Sequence, residues 1–322
     1  MREIVTNIYA PDEVVCAFIP VLFMATGYDG LQVVLTANNK SITVRQQAYG
    51  QSVTMDVREY VQGLFSDWGT VDYSQGAPSS RWLEVGFVLS TLTGQTYTQQ
   101  ATGTFNAVWG ALEHGEVWET GHRWKWFRTF PTVIDVVKLE DSNVVVSAGA
   151  TIRILSEIPE GINHYPLSGF AGKKLISVDN GSWVDTYEVD ECGKGVYLRW
   201  LDRCGKLRHW LFEEGTTERV ISNDGGYRRN NLRTYDGQGW TGTDGRGEIK
   251  TRQDNVTLCA TMVDKDTYDL LTDILTSPIV DEWDGENWHG VRVDGGTWAR
   301  TGAALQDFEL RIIRDYEGLQ RA

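Results

Sequence analysis

"GVYLRWLDRCGKLRHWLFEEG", residues 195–215, carries the reading of the whole chain. Val196–Leu201 and Lys206–Phe212 are β-prone runs, and Asp202-Arg203-Cys204-Gly205 between them supplies the Asp and Gly that tight turns favour. Folding about Arg203-Cys204 sets Leu201 opposite Lys206, Trp200 opposite Leu207, Leu198 opposite His209 and Val196 opposite Leu211. Side chains alternate along a strand, so Val196, Leu198, Trp200, Leu207, His209 and Leu211 are expected on one largely apolar face. Tyr197, Arg199, Arg208, Trp210 and Phe212 are expected on the other. A hairpin with aromatic groups on both faces suits a crowded sheet or an interface.

The bulk numbers agree with a β protein. With 322 residues the chain exceeds what one hydrophobic core usually serves, so two domains are expected. Thirteen tryptophans and 34 glycines beside 7 prolines point to many short strands and turns. Thirty basic and 44 acidic residues give a formal charge of −14, which repels phosphate and argues against a duplex-binding groove. The apolar run Val14–Ala25 is too short to span a bilayer, follows Asp12-Glu13 and carries Pro20. It is read as a buried strand, with no export signal. Cys16, Cys192, Cys204 and Cys259 form no metal-type pair. On the expected hairpin, Cys192 and Cys204 lie roughly 25 Å apart, outside disulfide reach. Reduced thiols made in a cytoplasm are expected.

Outward from the hairpin, Leu31–Val44 reads as a second hairpin turning at Asn38-Asn39-Lys40, and Val53, Met55 and Val57 continue the alternation. Asp56 can cap a short helix whose apolar side holds Val57, Tyr60, Val61, Leu64 and Phe65. "RWLEVGFVLS", "GTFNAVWGAL" and "HRWKWFRTFPTVIDVV" read as further strands, the last broken at Pro131. Composition changes after Leu139, so the junction is placed at 145/146. The fold expected is mostly β: two β-rich, sandwich- or barrel-like domains, 1–145 and 146–322, with two short helices. The second helix falls near 264–276, capped by Asp264 and stopped before Pro278.

Catalytic patterns are weak. "GFAGKK" (169–174) lacks phosphate-loop spacing, and no metalloprotease or nucleophile-elbow motif occurs. Cys204 and His209 are about 15 Å apart along the hairpin, beyond proton transfer. The acidic group Asp281, Glu282, Asp284 and Glu286 could form a calcium loop or a glycosidase pair, but a solvated turn at Asp284-Gly285 explains it as well. Arg199, Arg208, Arg228, Arg229 and Arg233 could gather round an anion, or line a solvated face or subunit contact. Trp124, Trp126, Phe127 and Phe130 could stack on sugars, or pack in a core or interface.

Three stretches carry a family resemblance: residues 195–215, "NAVWGALEHGEVW…WKWFRTFP" (106–131) and "ILTSPIVDEWDGENWHGVRVDGGTW…LQDFELRI" near the end. They resemble structural proteins of the tail modules of phages and prophages of gut bacteria. The resemblance implies a tail-tip or baseplate component akin to the distal tail proteins, β-rich, with a ring-forming domain and a peripheral one. It carries no catalytic motif. The expectation is therefore a non-enzymatic virion subunit made in the bacterial host cytoplasm, and residues 1–145 are the ring-forming candidate. It would bind itself and other tail proteins, without a cofactor, a metal, sequence-specific nucleic acid or a membrane. The alternative is a protein that binds or cleaves host surface polysaccharide, with Asp281 and Glu286 as acid and base.

Interface roles are assigned to Tyr197, Arg199, Arg208, Trp210, Trp124 and Trp126. Arg199 and Arg208, facing each other, would require an acidic partner. Trp200 is expected to be core. Its replacement by alanine should lower stability by about 3–5 kcal/mol, seen as a fallen urea midpoint or loss of soluble protein; an unchanged midpoint would place Trp200 on the surface.

Overall fold

The computed structural model describes residues 1–66, 69, 71–73, 76–113, 121–138, 144–155, 158–170, 174–179, 184–223, 227–228, 234–235, 237–238, 240–241, 246–247, 250–295, 298–299 and 301–316. The described residues are mostly strand, in several sheets, with two short α-helices among them. It divides into two compact units, Met1–Gly193 with Leu201–His209, and Lys194–Trp200 with Trp210–Ala322. Residue 145, beside the expected junction, lies inside the strand Val144–Ala148 of the first unit. The tip of the 195–215 hairpin is counted with the first unit and its two stems with the second.

The first unit begins as a sandwich-like pair of sheets. One orders Arg2–Val5, Ile8–Ala10, Leu22–Thr26 and Ser52–Asp56; the other orders Val14–Cys16, Thr96–Val108, Trp82–Thr93, Gly30–Ala37 and Lys40–Gln47. Alternation drives both: Leu31, Val33 and Leu35 are buried on one strand, Val85, Phe87 and Leu89 on its neighbour, and Phe23, Val53 and Met55 join the same core. Phe23 meets Phe87 edge-on at 5.2 Å. The Asn38-Asn39 turn has both residues at positive φ (49° and 59°), the geometry of a two-residue hairpin whose twist matches its strands. The helix Arg58–Leu64 buries Val61 and Leu64; its N-cap is Val57, and Asp56, one residue earlier, accepts from the Arg58 N–H through Oδ1. The run Val14–Ala25 is two strands in two different sheets rather than one. The segment between them holds Pro20, which has no N–H to give a ladder.

Two more sheets are present among the described residues of this unit. Arg123–Phe127, Val184–Asp190, Leu175–Asp179, Val144–Ala148 and Thr151–Leu155 form one; Val133–Lys138, Gly161–Pro166 and Ala77–Pro78 form the other. In the second unit seven strands run in the order Trp288–Gly290, Val280–Trp283, Val196–Leu201, Leu207–Asn223, Lys250–Asp264, Leu305–Tyr316 and Arg292–Val293. Phe308, Leu310 and Ile312 point inward from one strand and Val256, Leu258 and Ala260 from its partner. Tyr268, Leu271 and Ile274 are buried along the helix Lys265–Leu271 and the 3-10 turn Thr272–Leu275 that continues it. Asp264 caps that helix, its Oδ1 accepting from Thr267 N–H at 2.8 Å.

The hairpin turn holds one more residue than a two-residue loop. Gly205 N–H donates to Asp202 O (3.0 Å) and Asp202 N–H donates to Lys206 O (2.9 Å), with Gly205 at φ +75°. That is a turn followed by a glycine bulge. Asp202 therefore faces Lys206, where Leu201 was expected to, and a one-residue offset reverses the faces of the second strand. Carried along the ladder, the offset puts Trp210 on the side of Leu198 and takes it away from Tyr197. The expectation that Tyr197 and Trp210 share a face is corrected accordingly; Tyr197 packs on Trp288 instead, with ring centroids 5.7 Å apart. A Cβ on Gly205 would lie 2.7 Å from Trp109 O. Gly205→Ala thus combines left-handed strain with a backbone clash and should lower stability by at least about 2 kcal/mol; a urea midpoint equal to wild type would refute the bulge geometry.

Candidate functional site

A buried set of charged groups lies in the first unit, around Asp135. The strand Val133–Lys138 is buried at five successive positions, and Asp135 is the one charge among them. Asp135 sits opposite His164 in the antiparallel ladder with Gly161–Pro166. Its Oδ1 lies 2.5 Å from His164 Nδ1, and its Oδ2 accepts from Arg81 Nη2 at 2.6 Å and from Leu207 N–H at 2.5 Å. An ionised carboxylate only accepts, so His164 Nδ1 is the donor in that bond. Arg81 is 1% exposed, and its Nε donates to Ser79 Oγ at 2.9 Å. Burial pushes the Asp135 carboxyl up, but Arg81, His164 and the Leu207 N–H together outweigh it and hold the group well below the usual carboxylate range. The acid stays ionised.

The hairpin tip is bonded throughout within the same unit. Asp202 Oδ1 accepts from Cys204 and Lys206 N–H at 2.9 Å each, and Oδ2 accepts from Arg208 Nε at 2.6 Å. The Arg208 guanidinium also lies over the Trp124 ring, 4.4 Å from its centroid. Lys206, 1% exposed, lies 4.0 Å from Asp185, whose Oδ1 accepts from His122 N–H. Tyr73 Oη and His209 Nε2 are 3.3 Å apart. Arg203 O accepts from Ala111 N–H at 2.8 Å. In chemical terms this arrangement fixes a loop: every charge named is spent on a neighbour in the chain. A cleft of about 310 Å³ adjoins His164, lined also by Ala77, Pro78, Val136, Ile158 and Tyr165 among others. Asn163 also lines it; its Nδ2 donates to Pro159 O and Gly161 O, while its Oδ1 is buried without a hydrogen-bond partner.

The six residues assigned to an interface are all buried within this one chain: Tyr197 (1%), Arg199 (9%), Arg208 (5%), Trp210 (4%), Trp124 (4%) and Trp126 (4%). The chain itself covers them, so a partner subunit is not what shields these side chains. The acidic partners that Arg199 and Arg208 require are present but separate. Arg208 has Asp202, and in the second unit Arg199 Nε donates to Asp281 Oδ2 at 2.8 Å while lying 4.6 Å over the Trp288 ring. The two arginines therefore do not share an anion. Arg229 and Arg233 lie outside the described residues, as does the side chain of Arg228. Phe127 is buried with the two tryptophans, and Phe130 is half-buried.

The acidic group near the C-terminus is a turn. Val280–Trp283 and Trp288–Gly290 are its two strands. Asp284 Oδ1 accepts from Asn287 and Glu286 N–H, and His289 Nε2 lies 2.6 Å from Oδ2. Those contacts, the Asn287 N–H foremost, hold the Asp284 carboxyl at about 2. Asp281 belongs to Arg199, and Arg314 binds Glu282 through both Nε and Nη2. In the neighbouring strands Arg252 and Arg219 bind Asp254 and hold its carboxyl well below the usual range. Among the described residues no group of three or more His, Cys, Asp or Glu side chains is placed to hold a metal ion. No helix among them is long and apolar enough to cross a membrane.

Arg81, Asp135 and His164 were not singled out from the sequence. The available signal was a lone Asp inside the apolar run "TVIDVV", because a carboxylate in a strand buried on both faces requires partners.

No family model matches the chain, and no curated protein sequence matches it. Among solved structures, crystal form 1 of Sidekick-1 immunoglobulin domains 1–4 aligns over 78% of this chain and 67% of its own, at 9% identity and a TM-score of 0.20. A likeness of that size carries no argument.

Asp135→Asn keeps the shape but removes the charge that Arg81 and His164 face. Breaking a buried pair from one side should lower stability by about 3–5 kcal/mol near neutral pH. The folded-state pKa lies below the unfolded one. The stabilisation is thus complete above about pH 4 and is lost as pH falls further, because protonation then favours the unfolded chain. The gap in urea midpoint between wild type and Asp135→Asn should narrow progressively from about pH 4 down to pH 2; a constant gap would show that the charge is not the cause.

Proposed function

We propose that the chain is a non-enzymatic structural subunit of a phage tail tip or baseplate, assembling with copies of itself as a ring and with other tail proteins. One observation carries the non-enzymatic part. The charged groups that the fold gathers around Asp135 and Asp202 are buried and consumed by neighbours in the chain. Catalysis needs groups that can meet a substrate and exchange a proton with it. The resemblance in residues 106–131, 195–215 and the C-terminal stretch supports the tail assignment, and the charge of −14 suits a ring through which DNA passes without sticking.

Subunit contacts are then expected on surfaces the chain leaves open. The outer face of the sheet containing Val144–Ala148 is one such surface. Ile152, Leu175 and Val184 share it through the register of their strands, and they are 64%, 46% and 44% exposed. Mass photometry and negative-stain imaging of the purified protein, alone and with tail partners, should give closed oligomers of one stoichiometry. Leu175→Glu with Val184→Glu should shift them towards monomer with an unchanged urea midpoint. A strict monomer that never enters a purified virion would overturn the proposal.

A further inference from the structure

Gly161–Pro166 is the middle strand of a three-stranded sheet, with Val133–Lys138 on one side and Ala77–Pro78 on the other. Its side chains alternate between two faces. His164 turns its ring to the face of Asp135, where the two are bonded. Asn163 lies on the opposite face, directly between Val136 and Pro78 in the ladder, and Tyr165 follows on the same side. Val136, Pro78, Asn163 and Tyr165 all line the cleft of about 310 Å³, so this second face is its floor. Ile158 and Pro159 line it too, and side chains of the same face hold their backbone in place. Lys138 Nζ donates to Ile158 O at 2.8 Å, and Asn163 Nδ2 donates to Pro159 O at 2.9 Å and to Gly161 O at 3.0 Å.

The Asn163 amide can be oriented in only one way. Carbonyl oxygens accept and do not donate, so the two that it meets require its N–H groups. Oδ1 is thereby turned away from both, and it is buried with no hydrogen-bond partner, in a residue 4% exposed. A buried acceptor without a donor is costly and uncommon in folded proteins. Val136, Ile158, Pro78 and Pro159 have no side-chain donor to offer it, and none of the residues lining this face of the cleft carries a charge. We propose that the cleft binds a neutral, largely apolar group carrying one N–H or O–H donor, which it gives to Asn163 Oδ1. Apolar walls favour the body of such a group, the single acceptor fixes its donor, and the lack of a counter-ion excludes a charged one. An indole meets these terms, either as a free molecule or as a tryptophan side chain of another protein. The inference concerns binding alone and does not depend on whether the chain forms a ring.

Indole is the probe, titrated into the folded protein and followed by calorimetry or ligand-observed NMR. Benzofuran has the same shape with a ring oxygen in place of the N–H, so it sets an acceptor against an acceptor. Indole is expected to saturate one site and to bind about tenfold or more tighter than benzofuran. Ile158→Trp fills the cleft and should abolish indole binding with the urea midpoint kept. Val136→Leu, a smaller intrusion, should weaken it. N-acetyltryptophanamide separates the two sources: tighter binding than indole assigns the cleft to a tryptophan side chain of another protein, and weaker binding to a free molecule. No saturable binding of indole, or equal affinity for benzofuran, would overturn the proposal. So would indole binding at wild-type affinity in the folded variants.

Discussion

The buried carboxylate of Asp135 is the constraint around which the first unit is organised. Three donors from three separate stretches of chain converge on it: the Arg81 guanidinium, the His164 ring and the Leu207 backbone N–H. A charge removed from water requires such a set, because desolvation is otherwise prohibitive. The hydrophobic effect has no direction and could accept several packings of these strands. Asp135 accepts only those that bring all three donors to it. A buried ionic cluster of this kind contributes specificity of arrangement more than net stability.

The hairpin tip obeys the same logic on a smaller scale. Asp202 binds two backbone N–H groups of its own turn and the guanidinium of Arg208, so one side chain sets the turn and holds the strand leaving it. Leu207, next in line, gives its N–H to Asp135. Turn, bulge and anchor follow one another within six residues. The position of the tip is thereby fixed by hydrogen bonds as well as by apolar contact.

Much of the secondary structure was legible because its causes are local. The Asn38-Asn39 turn, the Asp264 cap and the Asp284 turn each depend on side chains a few residues apart, and each is where the sequence indicates. The alternation along Leu305–Tyr316 is equally plain, since one face is buried and the other is not. What was not legible is non-local. No sequence distance links Asp135 to Arg81 or Leu207. The bulge at Gly205 adds a single residue, which period-two counting does not register, yet it reverses a whole face. Both strands of the hairpin are buried on both sides, so polarity gave no means of detecting the slip.

Gly110 and Gly205 stand in a relation with consequences for how this protein can vary. A methyl group on Gly110 would lie 2.7 Å from Arg203 O, and one on Gly205 would lie 2.7 Å from Trp109 O. Each glycine is thus pressed against the backbone that flanks the other, main chain on main chain. A clash between side chains can be relieved by trimming the neighbour, but the peptide group here has nothing to trim. The two sites therefore have no compensating substitution for each other, and neither can drift while the other adapts. Variation in this part of the chain is channelled elsewhere, into lengths of loop and the outward faces of strands, and the crossing of these two turns is a fixed point in the protein's accessible sequence space.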